Sequence, residues 1–158
     1  MRQNYHMAKK TENKKQQYYE AVGRRKEATA RARLYVLTQD TIDIGGVSIK
    51  KGDIMVNKKP VEQFFPGETA KSIYLEPFRT TNTVGRFTVS ALVTGGGTYG
   101  QMGAFIHAVS RALLEIDKDK FRPILKKRGF LKRDPRMKER RKAGLAQKAR
   151  AKKQSPKR

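Results

Sequence analysis

Residues 126–158 carry sixteen Lys or Arg against two acids, Asp134 and Glu139, which puts a net +14 of the chain's +23 into one fifth of its length. Cations at that density neutralise the phosphates of a polyanion and release its counterions. Beyond Phe130, Leu131, Met137 and Leu145 the segment has no large apolar side chain. Alone, it cannot bury enough apolar surface to offset the entropy of folding. It is expected to be mobile in the free chain and to order on nucleic acid, with Arg133, Arg136, Arg140, Arg141, Lys142, Lys148 and Arg150 as candidate RNA contacts. A solvated charge run is the plain alternative, but such runs usually mix signs, whereas this one repels itself throughout.

A second basic group lies near the other end. Arg24, Arg25 and Lys26 sit in a turn, and Arg31 and Arg33 follow on the exposed face of the next strand, five cations within ten residues. Such clustering marks a phosphate-binding surface. Tyr18, Tyr19 and Tyr35 stand beside it and suit either base stacking or strand packing. The third group is the loop Gly95-Gly96-Gly97-Thr98-Tyr99-Gly100-Gln101, which joins a strand to a helix N-terminus. Free backbone N–H groups and the helix dipole favour an anion there, and glycine lets a phosphate backbone approach. The same glycines would equally serve a tight strand-to-helix turn. No Lys follows them as in a Walker loop, and no acid or His lies near to hold magnesium or take a proton, so catalysis is not expected. With no cysteine, and with His6 and His107 far apart, neither a metal centre nor a cofactor is expected.

Hydrophobic spacing indicates the elements that position these groups. Tyr18 to Val22 reads as a first strand. Ala28, Ala30, Ala32, Leu34 and Val36 alternate with Thr29, Arg31, Arg33 and Tyr35 as a second, with one apolar and one basic face. Residues 38–52 hold Ile42, Ile44, Val47 and Ile49 around Gly45-Gly46, as either a small hairpin or a loop. Ile54 to Val56 gives a third strand stopped by Pro60, and 61–65 one helical turn. A crossover helix is expected over 68–76, ending before Pro77. Phe87, Val89, Ala91 and Val93 form the inward side of another strand. Met102, Phe105, Ile106, Val109, Leu113 and Ile116 make the apolar stripe of a helix over 101–116. Asp119 is expected to cap a short helix that ends at Gly129, and Asp134-Pro135 a basic helical stretch that Gly144 stops.

At 158 residues and 37% hydrophobic, with a basic, apolar-poor arm over 1–17, the chain leaves about 110 residues for one small domain. The layout is an arm over 1–17, a globular α+β domain over 18–130 and an extended basic tail over 131–158. No apolar run is long enough for a membrane span, and no apolar h-region begins the chain, so an intracellular, cytoplasmic protein is expected. Met7-Ala8-Lys9-Lys10 offers an alternative start.

Three motifs, in order, carry a family resemblance. The run from Gly23 through Arg24-Arg25-Lys26-Glu27-Ala28-Thr29-Ala30 to Arg31 resembles the opening signature of the universal small ribosomal subunit protein nine (S-nine) family. Gly95-Gly96-Gly97, Gly100-Gln101, Ala104 and Arg111-Ala112-Leu113 are similar to its central signature. Arg133-Asp134, Arg136, Glu139-Arg140, Lys142, Gly144-Leu145 and Lys148-Ala149-Arg150 follow its tail. The resemblance implies a four-stranded sheet with helices on one face and a left-handed βαβ crossover, a handedness contrary to the general rule. It implies a structural, non-enzymatic role in the head of the small subunit, in single copy among neighbouring ribosomal proteins. The domain would lie on ribosomal RNA, and Lys157 and Arg158 would reach the P-site tRNA. The chain ends in Gln154-Ser155-Pro156-Lys157-Arg158, without the aromatic common in that family, and residues 38–51 are longer than its usual turn. The rival readings are the protein subunit of ribonuclease P, whose basic motif belongs on a helix, and a small-molecule kinase, which would need the glycine loop for ATP.

Overall fold

The computed structural model describes residues 17–37 and 40–150. Apart from residue 17, the expected basic arm lies outside these residues, as do Lys157 and Arg158. Strands β1 (Tyr18–Arg25) and β2 (Ala28–Tyr35) pair as an antiparallel hairpin, Arg25 opposite Ala28, around a turn in which Lys26 takes a φ of 51°. The ambiguous segment 38–52 is a separate hairpin, β3 (Thr41–Ile44) and β4 (Val47–Lys50). Gly45 and Gly46 both adopt positive φ there, as a two-residue hairpin turn of the primed type requires. The short β5 (Ile54–Val56) turns into β6 (Lys59–Pro60), followed by α1 (Val61–Phe64) and α2 (Glu68–Thr80). Then come β7 (Thr88–Thr94), α3 (Thr98–Ile116) and α4 (Lys118–Lys127).

The main sheet runs β1-β2-β7-β5-β6, five strands where four were expected. The fifth is the two-residue β6, in which Pro60 extends the sheet at an edge, the one place where its missing N–H costs no ladder bond. Strands β5 and β7 are parallel and are connected through α1 and α2. Beyond β5, the Asn57 side chain accepts from Val93 N–H and donates to Val93 C=O, both at 2.8 Å, continuing the pairing after the strand ends.

Alternation on β2 and β7 sends Ala28, Ala30, Ala32, Leu34, Val89, Ala91 and Val93 into one core beneath the helices. That core contains Phe65, Tyr74, Phe105 and Leu113 in full burial. Phe65 packs on Tyr74 and Phe105 with ring centroids 6.5 and 6.3 Å apart. Tyr35 points the other way and packs with Ile42 and Ile49, so the β3–β4 hairpin covers part of the sheet's opposite face. Tyr35 is therefore a packing residue, while Tyr18 leans on it at 5.6 Å.

Three expectations need correction. Helix α2 does not end before Pro77 but runs through it to Thr80. Pro77 is fully buried, and the hydroxyls of Thr80 and Thr81 donate to the Glu76 and Pro77 carbonyls in the last turn, so packing and local bonds outweigh the lost helical hydrogen bond. The α4 cap is Asp117, whose carboxylate accepts from Lys120 N–H at 3.1 Å, with Asp119 inside the first turn. No helix forms after Asp134: its carboxylate accepts from Arg136 N–H, two residues on, a local bond that competes with helix. Like charges at helical spacing, Arg136 with Arg140 and Lys138 with Lys142, disfavour that helix further.

Helix α3 lies so close on β1 that a Cβ at Gly23 would stand 2.2 Å from Ala104 O and Ala108 N. Both are backbone atoms and cannot step aside. Gly23→Ala is expected to cost about 1–3 kcal/mol, the range for an overpacked interior. At Gly97, where a Cβ meets nothing within 4 Å and φ is −113°, alanine should change stability by about 0.5 kcal/mol or less. Urea denaturation of both variants measures this, and equal losses would remove the packing explanation.

Candidate nucleic-acid interface

Strand β1 runs on past the expected Val22 to Arg25, so Arg24 and Arg25 end the strand and only Lys26 and Glu27 make the turn. This end of the hairpin and the glycine loop, seventy residues apart in sequence, meet in the fold. Gly95 and Gly96 adopt φ of +72° and +61°, and their Cα atoms face Glu27 and Ala28 of the β1–β2 turn. A Cβ at Gly95 would fall 2.7 Å from Glu27 O, and one at Gly96 3.1 Å from the Ala28 Cβ. Gly100 opens onto Arg25 O and the Lys26 Cβ, and Gly103 lies against the Arg25 side chain. The glycines of this loop therefore have a packing role: they seat the N-terminus of α3 on the basic turn. Gln101 closes the loop by donating from Nε2 to Gly95 O at 3.1 Å. Gly97 faces open space, and Tyr99 in the first turn of α3 is 75% exposed. Tyr99 is the exposed aromatic of this surface, a feature that sequence alone did not separate from its glycine neighbours.

The tail begins at the same place. Arg25 pairs with Asp134 at 3.1 Å, and Arg136 holds the same carboxylate at 2.8 Å. The Arg136 guanidinium and backbone N–H, together with Arg25, keep the Asp134 carboxyl well below the usual carboxylate range. Arg24, Arg25, His107, Phe130, Lys132 and Asp134 line a cleft of about 230 Å³ between the turn, α3 and the start of the tail. The His107 ring accepts from Arg24 N–H through Nδ1 at 3.3 Å and lies beside the Leu131 backbone. A residue one position off the apolar stripe thus ties strand, helix and tail together. Arg111, on the same helix, donates to Val22 O.

Farther along, Glu139 pairs with Arg150, Lys142 N–H donates to Lys148 O, and Lys148 N–H to Leu145 O, so residues 139–150 close into a loop. Both acids of the basic segment are taken up by ion pairs. Arg133, Arg140, Arg141, Lys142 and Lys148 remain exposed. The five-cation group divides by strand alternation: Gly23 and Arg25 face α3, so the Arg24 side chain shares with Arg31 and Arg33 the sheet face opposite the helices, while Arg25 lies under α3 and Lys26 in the turn. Arg33 is neutralised by Glu20 and lies 4.8 Å above the Tyr18 ring. The Glu20 hydrogen bond raises the Arg33 pKa, against a smaller effect of burial. Among the described residues no group of His, Cys, Asp or Glu could hold a metal ion, and no helix is long and apolar enough to cross a membrane.

Burial, then the charge of Arg111, push the His107 imidazole below its ordinary pKa of about 6.5. The folded state thus binds fewer protons than the unfolded state, and stability rises with pH across that window. The His107 contribution is complete above about pH 6.5 and is lost as pH falls through the depressed folded value. Urea denaturation at pH 7.5 and 5.5 should show a loss at the lower pH in the parent that is smaller in His107→Gln. An equal loss in both would mean that the imidazole is not held neutral.

The profile of the ribosomal protein S9/S16 family matches residues 23–158. The chain is also similar to the small ribosomal subunit protein uS9 of Leifsonia xyli subsp. xyli (strain CTCB07), 45% identical over 125 residues, which are 79% of this chain and 67% of that protein. The matched span includes the basic turn, the glycine loop and the tail that the fold brings together, and the chain belongs to the ribosomal protein S9/S16 family.

Proposed function

We propose that this protein is a structural component of the small ribosomal subunit that binds ribosomal RNA through the surface where β1–β2 turn, glycine loop and tail converge. The observation that carries this reading is that convergence: three cationic or anion-accepting groups distant in sequence share one face, and the tail leaves from it. The protein is structural and non-enzymatic, as its family is. Lys and Arg side chains provide affinity by neutralising phosphates, and the folded domain fixes where the tail begins.

On this reading Lys26, Gly97 and Tyr99 form the domain's contact, with Arg24 reaching it from the neighbouring sheet face, followed by Arg133, Arg140, Arg141, Lys142 and Lys148. Arg25 and Arg136 act first as the tether through Asp134, Arg150 first as the partner of Glu139, and Gln101, Gly95 and Gly96 as the loop's own support. Arg31 and Arg33 belong to a separate surface. The domain spans 18–130, with the arm over 1–17 and the tail over 131–158. The tail is directed toward P-site tRNA in the subunit head, with Lys157 and Arg158 as its phosphate contacts. Neighbouring ribosomal proteins and a single copy per cytoplasmic ribosome complete the assignment. The parallel β5 and β7, joined across one face by α2, supply the crossover whose left-handed sense the family resemblance implies.

Sucrose-gradient fractionation should find the chain with the small subunit and the assembled ribosome at both low and high salt; a free protein at the top of the gradient overturns the assignment. Within it, Arg24→Ala with Lys26→Asn tests the turn without loosening the Arg25 tether, since asparagine tolerates the left-handed backbone at position 26. Affinity for ribosomal RNA should fall, and the slope of log affinity against log salt should flatten by about 0.7 to 0.9 for each phosphate that is no longer neutralised. An unchanged slope would mean that these residues act through the fold.

Removal of residues 155–158 takes away two of the sixteen cations of residues 126–158. Truncated chains should enter subunits normally, while P-site tRNA affinity falls by about 1 to 3 kcal/mol per charge-assisted hydrogen bond. Filter binding on purified subunits measures this. If truncated subunits hold tRNA as tightly as the parent across a salt series, the terminal contact is absent.

A further inference from the structure

The sheet face opposite the helices carries a second feature that the interface above does not use. The β3–β4 hairpin overhangs this face and leaves a cleft of about 220 Å³ between itself and strands β2, β7 and β5. Ile44, Val47 and Ile49 form its roof, and Met55 and Leu92 its floor. Leu92 is 47% exposed, an unusual state for a central-strand leucine covered by a hairpin. The roof is held in place from both ends. Ile42 and Ile49 pack on buried Tyr35, and the Gly45-Gly46 turn fixes the tip.

Charge lies only on the rim. Arg31, Arg33 and Lys58 line the opening and no acid does, because strand alternation sends Asp43 and Ser48 to the hairpin's far side. Glu20 occupies Arg33. Among the described residues Arg31 and Lys58 take part in no ion pair. Arg31 stands between Val22 and Leu92 in the sheet register, so the stem of its side chain has apolar neighbours on both sides. The Ser90 hydroxyl supplies one donor and one acceptor at the floor.

A cavity of this size is smaller than the ~300–1,000 Å³ of sites for whole small molecules, and it fits one planar ring. An apolar slot for a ring with two uncompensated cations at its mouth matches a base with its flanking phosphates. Resting on the RNA-binding reading above, we infer that this cleft takes an unpaired RNA base, stacked between Leu92 and the hairpin, with Arg31 and Lys58 on the adjoining phosphates. A paired base is excluded, since within a helix its faces are already stacked. A peptide partner would need acidic groups to meet the same rim, and the chain's charge of +23 favours nucleic acid.

Methyl NMR of the full chain tests the inference, with a ten-nucleotide single-stranded RNA and inorganic polyphosphate as probes. The RNA should shift the Leu92, Val47 and Ile44 methyls by ring current, and polyphosphate, which has no rings, should not. Leu92→Gln should lower affinity for the RNA about five- to tenfold, the low end of what one stacked base contributes, and leave the salt slope unchanged because the same phosphates stay neutralised. Equal shifts with polyphosphate would overturn the base pocket. So would binding of ribosomal RNA with these methyls unmoved, an outcome that leaves the proposed function standing. If ribosomal RNA does not bind at all, both readings fall. A short peptide of alternating Glu and Leu that shifts the methyls where the RNA does not would assign the cleft to a protein partner instead.

Discussion

The rest of the molecule depends on the close approach of α3 to β1 at Gly23. Between them there is no room for a side chain: the Gly23 Cα faces the backbone of Ala104 and Ala108, and the strand below presents Ala28, Ala30 and Ala32. A seam of small residues brings the helix down onto the sheet, and the large side chains, Phe65, Tyr74 and Phe105, fill the space beside it under α2. The consequence at the surface is positional. With α3 held that low, its first turn touches the β1–β2 turn, His107 reaches the Arg24 backbone, and Arg111 reaches Val22. A larger residue at the seam would lift the helix and separate the groups that make up the candidate interface.

The glycine loop illustrates how one sequence pattern admits two physical readings. Its residues suit either a tight turn or a phosphate cradle, and in the fold it is mainly the turn: Gly95 and Gly96 adopt backbone angles that side chains avoid and lie against Glu27 and Ala28. A nucleotide enzyme would need the inner side of such a loop for its ligand. Here protein backbone lies against Gly95 and Gly96 on that side, and Gly97, Thr98 and Tyr99 face outward. The arrangement suits contact with a large external polyanion and not enclosure of a small one.

Elements whose pattern repeats were legible in the sequence. Alternation on β2 and β7 and the apolar stripe of α3 identified three elements that build most of the core, because burial acts on every second or every third to fourth residue and leaves a periodic trace. What escaped was decided by single contacts. Pro77 argues for a helix end until its burial against the core is known, and Asp117 and Asp119 are equally good caps until one carboxylate meets a backbone N–H. Segment 38–52 is ambiguous in sequence because Ile42 and Ile49 are buried with Tyr35, and Ile44 and Val47 pack beside them, a cluster that no local window shows. At the candidate interface, the cations were visible as residue types, but their separation onto two faces and the roles of Asp134 and His107 were not. Those follow from tertiary neighbours alone.

The two acids of the basic segment bear on its behaviour more than their number suggests. In a run of sixteen cations, an uncommitted carboxylate would lower affinity for phosphate by offering an internal competitor. Each is instead committed to geometry. Asp134 joins Arg25 to Arg136 and fixes where the segment leaves the domain; Glu139 joins Arg150 and draws the residues between them into a loop. Surface ion pairs of this kind contribute little to stability and weaken with salt, so their value lies in direction. They aim the exposed cations between them while leaving those cations unpaired.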